Sequence, residues 1–136
     1  MMTIECKRFC PDVRICCQET EMTITRKDAE RINALGYSTT DYSHKLGDGF
    51  CELKNVDGHC YFYDPSSKGC SIYEARPEGC RWFPVIYHYK KRRCVLDDVC
   101  PASPALNRTD IRKVCHKVKA LIEELRREVA HGESPC

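Results

Sequence analysis

Apolar residues recur at helical spacing in two stretches of the chain. Between residues 24 and 36, Ala29, Ile32 and Leu35 share one face, while Arg26, Lys27, Glu30 and Arg31 form a polar face that reads as solvated surface. Thr25 is placed to cap this short helix, Asp28 three residues later is its capping-box partner, and Gly36 supplies the stop. The second stretch is longer. Ile111, Val114, Val118, Leu121, Ile122, Leu125 and Val129 predict a helix over about residues 104–131, with Ser103-Pro104 as its start, Asn107 and Thr109 as later starts, and Gly132 at its end. That stripe has fewer than three clean heptads, so it is expected to pack on the rest of the domain and not on a second helix of its kind.

The pattern between the helices is one of short strands and turns. Residues 50–54 and 60–63 flank Asn55-Val56-Asp57-Gly58, a hairpin signal, and Asp64-Pro65-Ser66-Ser67-Lys68-Gly69 marks a second reversal. Val85-Ile86-Tyr87-His88-Tyr89 and Cys94-Val95-Leu96 predict a further hairpin turning at Lys90-Lys91-Arg92-Arg93. Those four charges are most simply a solvated turn, because no second basic cluster or stacking surface accompanies them in the sequence. There is no internal repeat, no low-complexity segment and no linker, so residues 1–136 are expected to form one domain.

Composition changes the picture at one point: twelve of the 136 residues are cysteine. They account for part of the 42% apolar fraction, which leaves a thin aliphatic core and makes covalent or metal staples useful. Disulfides and metal ligation are the two readings. The start of the chain has no apolar leader, which points to a cytoplasmic protein with reduced thiols, and the adjacent Cys16 and Cys17 would make a strained bond with each other. Metal is therefore preferred, and a disulfide-stapled protein is held in reserve. The formal net charge of +2, with both signs mixed, gives no field for a nucleic-acid partner, and no stretch approaches the roughly 20 apolar residues of a membrane span. The expected fold class is α+β: a small, cysteine-rich, metal-organised domain with short β-hairpins, a short N-terminal helix and a long C-terminal one.

Thiolates suit zinc, iron and iron–sulfur clusters, and eight of them would fill two four-coordinate sites. Cys6, Cys10 and Cys16-Cys17 are followed by Gly58-His59-Cys60-Tyr61-Phe62-Tyr63-Asp64 and by the block from Gly69-Cys70 through Ile72-Tyr73-Glu74 and Arg76-Pro77 to Cys80-Arg81-Trp82-Phe83-Pro84. Taken together, residues 5–101 resemble the CxxCxxCC, or YkgJ-like, cysteine-cluster family of zinc- or iron-chelating domains. The block from Cys70 to Pro84 is specific enough to carry the match alone. The first cluster departs from the family spacing, with three residues between Cys6 and Cys10 and five between Cys10 and Cys16. The resemblance implies metal ligands at Cys6, Cys10, Cys16, Cys17, Cys60, Cys70, Cys80 and Cys100. Cys51, Cys94, Cys115 and Cys136 fall outside the pattern; Cys115 reads as a small apolar residue beside the helical stripe, and Cys136 as part of a tail with no fixed role.

Thiolate clusters carry excess negative charge, which Arg76 and Arg81 can offset; a purely structural role for these arginines is an equal reading. Trp82 and Phe83 are expected to shield the site as core residues. His59 reads as an exposed turn residue despite its place beside Cys60, and His44, His88, His116 and His131 have no ligand spacing. No phosphate loop, nucleophile elbow or catalytic carboxylate pair is present in the sequence, so a binding role is preferred to an enzymatic one. Two functions compete. One is a metal-binding module with zinc or iron in a structural or metal-handling role. The other is an iron–sulfur redox or modification component, since the resemblance extends to domains found in flagellin lysine methylases with an iron–sulfur centre. The metal ion is the expected partner; the sequence names no protein partner.

Overall fold

Thr25 opens the first helix as the sequence predicts. In the computed structural model, which describes residues 20–97 and 106–136, α1 spans Arg26–Asn33. The Thr25 hydroxyl accepts the Asp28 N–H and the Asp28 carboxylate accepts the Thr25 N–H, both at 3.0 Å, so each side chain satisfies an amide that the first turn leaves open. Ala29 and Ile32 are buried. Leu35 is not: the helix ends before it, Gly36 turns at φ 103°, and Leu35 is left exposed. The polar face is only partly solvated, since Arg31 donates at 2.8 Å both to the Asp28 carboxylate and to the Arg76 carbonyl.

A one-turn helix α2 (Thr39–Tyr42) leads, among the described residues, into four antiparallel two-stranded hairpins. Strand β1 (Ser43–Lys45) pairs with β2 (Cys51–Leu53), β3 (Asn55–Val56) with β4 (His59–Cys60), β5 (Tyr63–Asp64) with β6 (Gly69–Cys70), and β7 (Val85–His88) with β8 (Arg93–Leu96). The Asp57-Gly58 turn forms as expected, with positive φ at both residues. Its arms are shorter than residues 50–54 and 60–63. Residues 51–53 pair back to β1, and on their other side the Ile24 N–H donates to Cys51 O and the Leu53 N–H to Met22 O, each at 2.9 Å. β2 is thus flanked on both sides, and its alternate residues Cys51 and Leu53 are buried. A 3-10 turn (Tyr73–Ala75) and a short helix α3 (Glu78–Trp82) join β6 to β7.

The long helix α4 covers Arg108–Ala130 and is capped by Asn107, one of the later starts the sequence offers, which forms a complete capping box with Asp110. Ser103-Pro104, the earlier start, lies outside the described residues. Val114, Val118 and Leu121 bury against Trp82 and Val85, with Ile122 and Leu125 at the margin, so the stripe packs on the chain's own hairpin β7–β8 and on α3. A second apolar cluster gathers Ile24, Ile32, Tyr42, Leu53, Cys60, Phe62 and Ile72. Small antiparallel sheets with helices make the fold α+β. Among the described residues no helix is long and apolar enough to cross a membrane.

Four cysteines depart from expectation. Cys51 is bonded to Cys136, and Cys94 to Cys115. Cys115 is therefore not merely a small apolar residue, and Cys136 does not sit on a free tail. The physical reason is long-range. After α4 the chain folds back, with Arg26 Nε donating to Glu133 O at 3.0 Å, and this carries Cys136 to β2.

Candidate metal centre

Cys60 sits at the end of β4, where the Asp57-Gly58 hairpin delivers it into the apolar cluster around Ile24 and Phe62, and it is 5% exposed. The chain then turns sharply through Tyr61 and Phe62, and the backbone N–H groups of Phe62 and Tyr63 donate to the Cys60 sulfur. Cys70 arrives from the neighbouring hairpin. It pairs with Tyr63 across β5–β6, the Ser71 N–H donates to Phe62 O at 2.7 Å, and the Cys70 thiol lies within electrostatic reach of Cys60. Burial pushes the Cys60 thiol up to about 11 and the Cys70 thiolate adds to this, while the two amides pull in the opposite direction. A metal-free thiol here is thus protonated and buried, beside two donors suited to a sulfur that carries charge.

Cys80 occupies a different element, α3, and its N–H donates to Pro77 O at 2.9 Å. Among the described residues no three His, Cys, Asp or Glu side chains come together closely enough to hold a metal, so Cys80 does not complete a trio with Cys60 and Cys70. Cys6, Cys10, Cys16, Cys17 and Cys100 lie outside the described residues. The donor chemistry of Cys60 and Cys70 nevertheless fits a soft divalent metal: adjacent thiols, one of them buried and held by amide hydrogen bonds.

The flanking residues are fixed by a shared framework. The Asp28 carboxylate that caps α1 also accepts the Glu78 N–H at 3.0 Å, tying the first helix to the Pro77 corner. Arg76 is buried with its guanidinium 4.1 Å above the Tyr73 ring, and donates to Tyr73 O at 2.8 Å; Arg81 donates to Glu74 O at 3.2 Å. Both arginines are thus anchored on backbone carbonyls, as a structural role requires. Trp82 is a core residue, as expected, and donates its indole N–H to Glu78 at 3.2 Å. His59 departs from the exposed reading: it is half-buried, its Nδ1 lies 3.0 Å from Cys60 O, and its ring lies 5.0 Å from that of Tyr63. The amides of Phe62 and Tyr63 were not singled out from sequence. The signal for them is a cysteine followed at once by a reversal two and three residues on.

Residues 5–115, most of the chain, match the model of the CxxCxxCC family, described as a "putative zinc- or iron-chelating domain". The chain belongs to this family. The CxxCxxCC match runs past the expected motif region at 5–101 and takes in Cys115. Over 94 residues the chain is 35% identical to the uncharacterized protein MJ0661 of Methanocaldococcus jannaschii, an overlap of 64% of this chain and 50% of that protein. The chain thus spans about half the length of that curated relative. No solved structure matches it. Membership of the CxxCxxCC family supports metal binding in general, by zinc or iron.

Proposed function

We propose that this CxxCxxCC protein chelates zinc or iron through cysteine thiolates, in one or two centres with a structural or metal-handling role. The ligands in this reading are Cys6, Cys10, Cys16, Cys17, Cys60, Cys70, Cys80 and Cys100. The observation that carries it is the setting of Cys60, a buried sulfur with two backbone N–H donors and a second thiol, Cys70, beside it. A neutral thiol is a weak acceptor that has no need of two amides, whereas a metal-bound thiolate retains negative charge and is stabilised by them. Cys60 and Cys70 supply half of a tetrahedral thiolate site, and the remaining positions fall to cysteines outside the described residues. Four thiolates around zinc form a closed site whose role is to hold the fold, worth on the order of 10 kcal/mol.

Anaerobic purification followed by elemental analysis and a visible spectrum tests this. Bound zinc in a colourless protein supports the structural form of the proposal. Iron with acid-labile sulfide and broad visible absorption makes the centre an iron–sulfur cluster, and directs attention to redox or methyltransferase-like modification chemistry. Cys60→Ser should remove at least half of the bound metal, while Cys136→Ser leaves metal content unchanged. A metal-free protein whose eight proposed ligands all titrate as thiols would overturn the reading.

A further inference from the structure

Away from Cys60 and Cys70, the groove between β8 and the first half of α4 forms a cavity of about 310 Å³ whose wall contains the Cys94–Cys115 disulfide. Arg108, Arg112, His116 and Lys119 line the same cavity. Their spacing along α4 puts them on one face with Cys115, and all four are exposed. The acid in this first turn, Asp110, is engaged by the Asn107 N–H in the capping box, at 3.3 Å. A partly exposed disulfide is thereby surrounded by positive charge inside a concavity large enough for a small ligand.

We propose that this groove is a thiol–disulfide exchange site for a small anionic thiol, one that carries carboxylates. The charges act on two steps of one reaction. They concentrate an anionic thiolate at the sulfurs, and they stabilise the cysteine thiolate that departs when the attacking sulfur forms the mixed disulfide. A second thiolate then attacks the mixed disulfide. The Cys94–Cys115 bond breaks, one S–S bond forms between the two small thiols, and the two protons they give up pass to Cys94 and Cys115. The small thiol is oxidised and the protein disulfide reduced by the same two electrons, so no further reductant is required. None of the proposed metal ligands is among the described residues that line the groove, and the inference stands whether or not the metal reading does.

The test compares mercaptosuccinate, with two carboxylates, against cysteamine, with an ammonium group, on the full chain at low ionic strength and about pH 8, where both supply thiolate. Each rate is normalised to that of the same thiol with an uncharged model disulfide. Opening of each bond is followed by timed alkylation and mass spectrometry, with Cys51–Cys136 as the internal reference. We expect mercaptosuccinate to open Cys94–Cys115 about tenfold faster than cysteamine after normalisation, a preference that shrinks in about 0.3 M salt. The double variant Arg108→Gln, Arg112→Gln should lose it; Lys119→Glu, on the exposed face, gives a second reading if the double variant misfolds. Equal normalised rates would overturn the proposal, as would a preference equally strong at Cys51–Cys136, one that survives the charge variants, or alkylation of Cys94 and Cys115 before any thiol is added.

Discussion

Each cysteine in this chain takes its chemistry from its surroundings. Cys60 has amide donors and a neighbouring thiol, whereas Cys51, buried in the same apolar cluster, has Cys136. Among the described residues, the four cysteines outside the family pattern, Cys51, Cys94, Cys115 and Cys136, bond to one another in two pairs. Which bonds to which was not legible, because four cysteines allow three connectivities and the choice depends on where α4 and its tail lie in space. Cys136 in particular changes from an incidental residue to a structural one. Cys136→Ser should cost roughly 2–4 kcal/mol by freeing a long loop in the unfolded chain, and Cys51→Ser a similar amount. The double variant, measured by denaturant titration, should be no less stable than the worse single one. Additive losses would mean that the two sulfurs act separately.

Local signals read correctly where an element is closed by its own neighbours. The Thr25–Asp28 box, the Asn107 cap and the Asp57-Gly58 turn all form from residues within a few positions of one another. The partner of β2 is not legible because the hairpin signal at Asn55–Gly58 says nothing about the strands before it, and the pairing to β1 arises from the turn at residues 46–50, closed by the Leu46 N–H donating to Phe50 O at 2.8 Å. Asp28 shows how far one cap can reach: it serves α1, Arg31 and the N–H that begins α3. Thr25→Ala should cost about 1 kcal/mol, as for an ordinary lost cap, whereas Asp28→Ala should cost about 3 because it leaves three donors open around a buried position. Thermal or chemical unfolding of the two variants checks the ratio. The junction of α4 with α1 carries a second dependence. Glu128 is buried, its Oε1 accepts the Arg26 N–H at 2.9 Å, and its Oε2 has no donor. Burial raises its pKa, with the neighbouring Glu124 adding to the rise, against the Arg26 amide. A carboxyl raised in the folded state stabilises while protonated, so its contribution is present in acid and is lost as pH rises through the folded value. Glu128→Gln keeps the acceptor and removes the charge. It should gain about 1 kcal/mol over the parent at neutral pH, a gain that disappears in acid; a constant difference across pH would show that the charge is not the cause.

At the scale of the molecule, two modest apolar clusters are held together by more than packing. One lies under α4 and takes in Cys94 of the Cys94–Cys115 bond; the other lies around Ile24, Ile32 and Leu53 and takes in the Cys51–Cys136 bond. Polar ties run between their elements, from Glu128 to the Arg26 amide and from Asp28 to the Glu78 amide. The sequence showed that the aliphatic core was thin and that staples were needed; it set metal against disulfides as alternatives. The structure holds disulfides in the four cysteines that the proposed metal site does not use, so the two staples are compatible in one chain. Their contributions should be separable by calorimetry. A phosphine reductant alone should lower the melting temperature by on the order of 10 °C for each disulfide opened, without releasing metal. A strong chelator under non-reducing conditions should loosen the Cys60–Cys70 region while Cys94–Cys115 keeps β8 on α4, giving a broadened, partial transition. Both together should abolish the cooperative transition. If the chelator alone abolishes it with both disulfides intact, the metal organises the whole chain and the disulfides only trim its unfolded state.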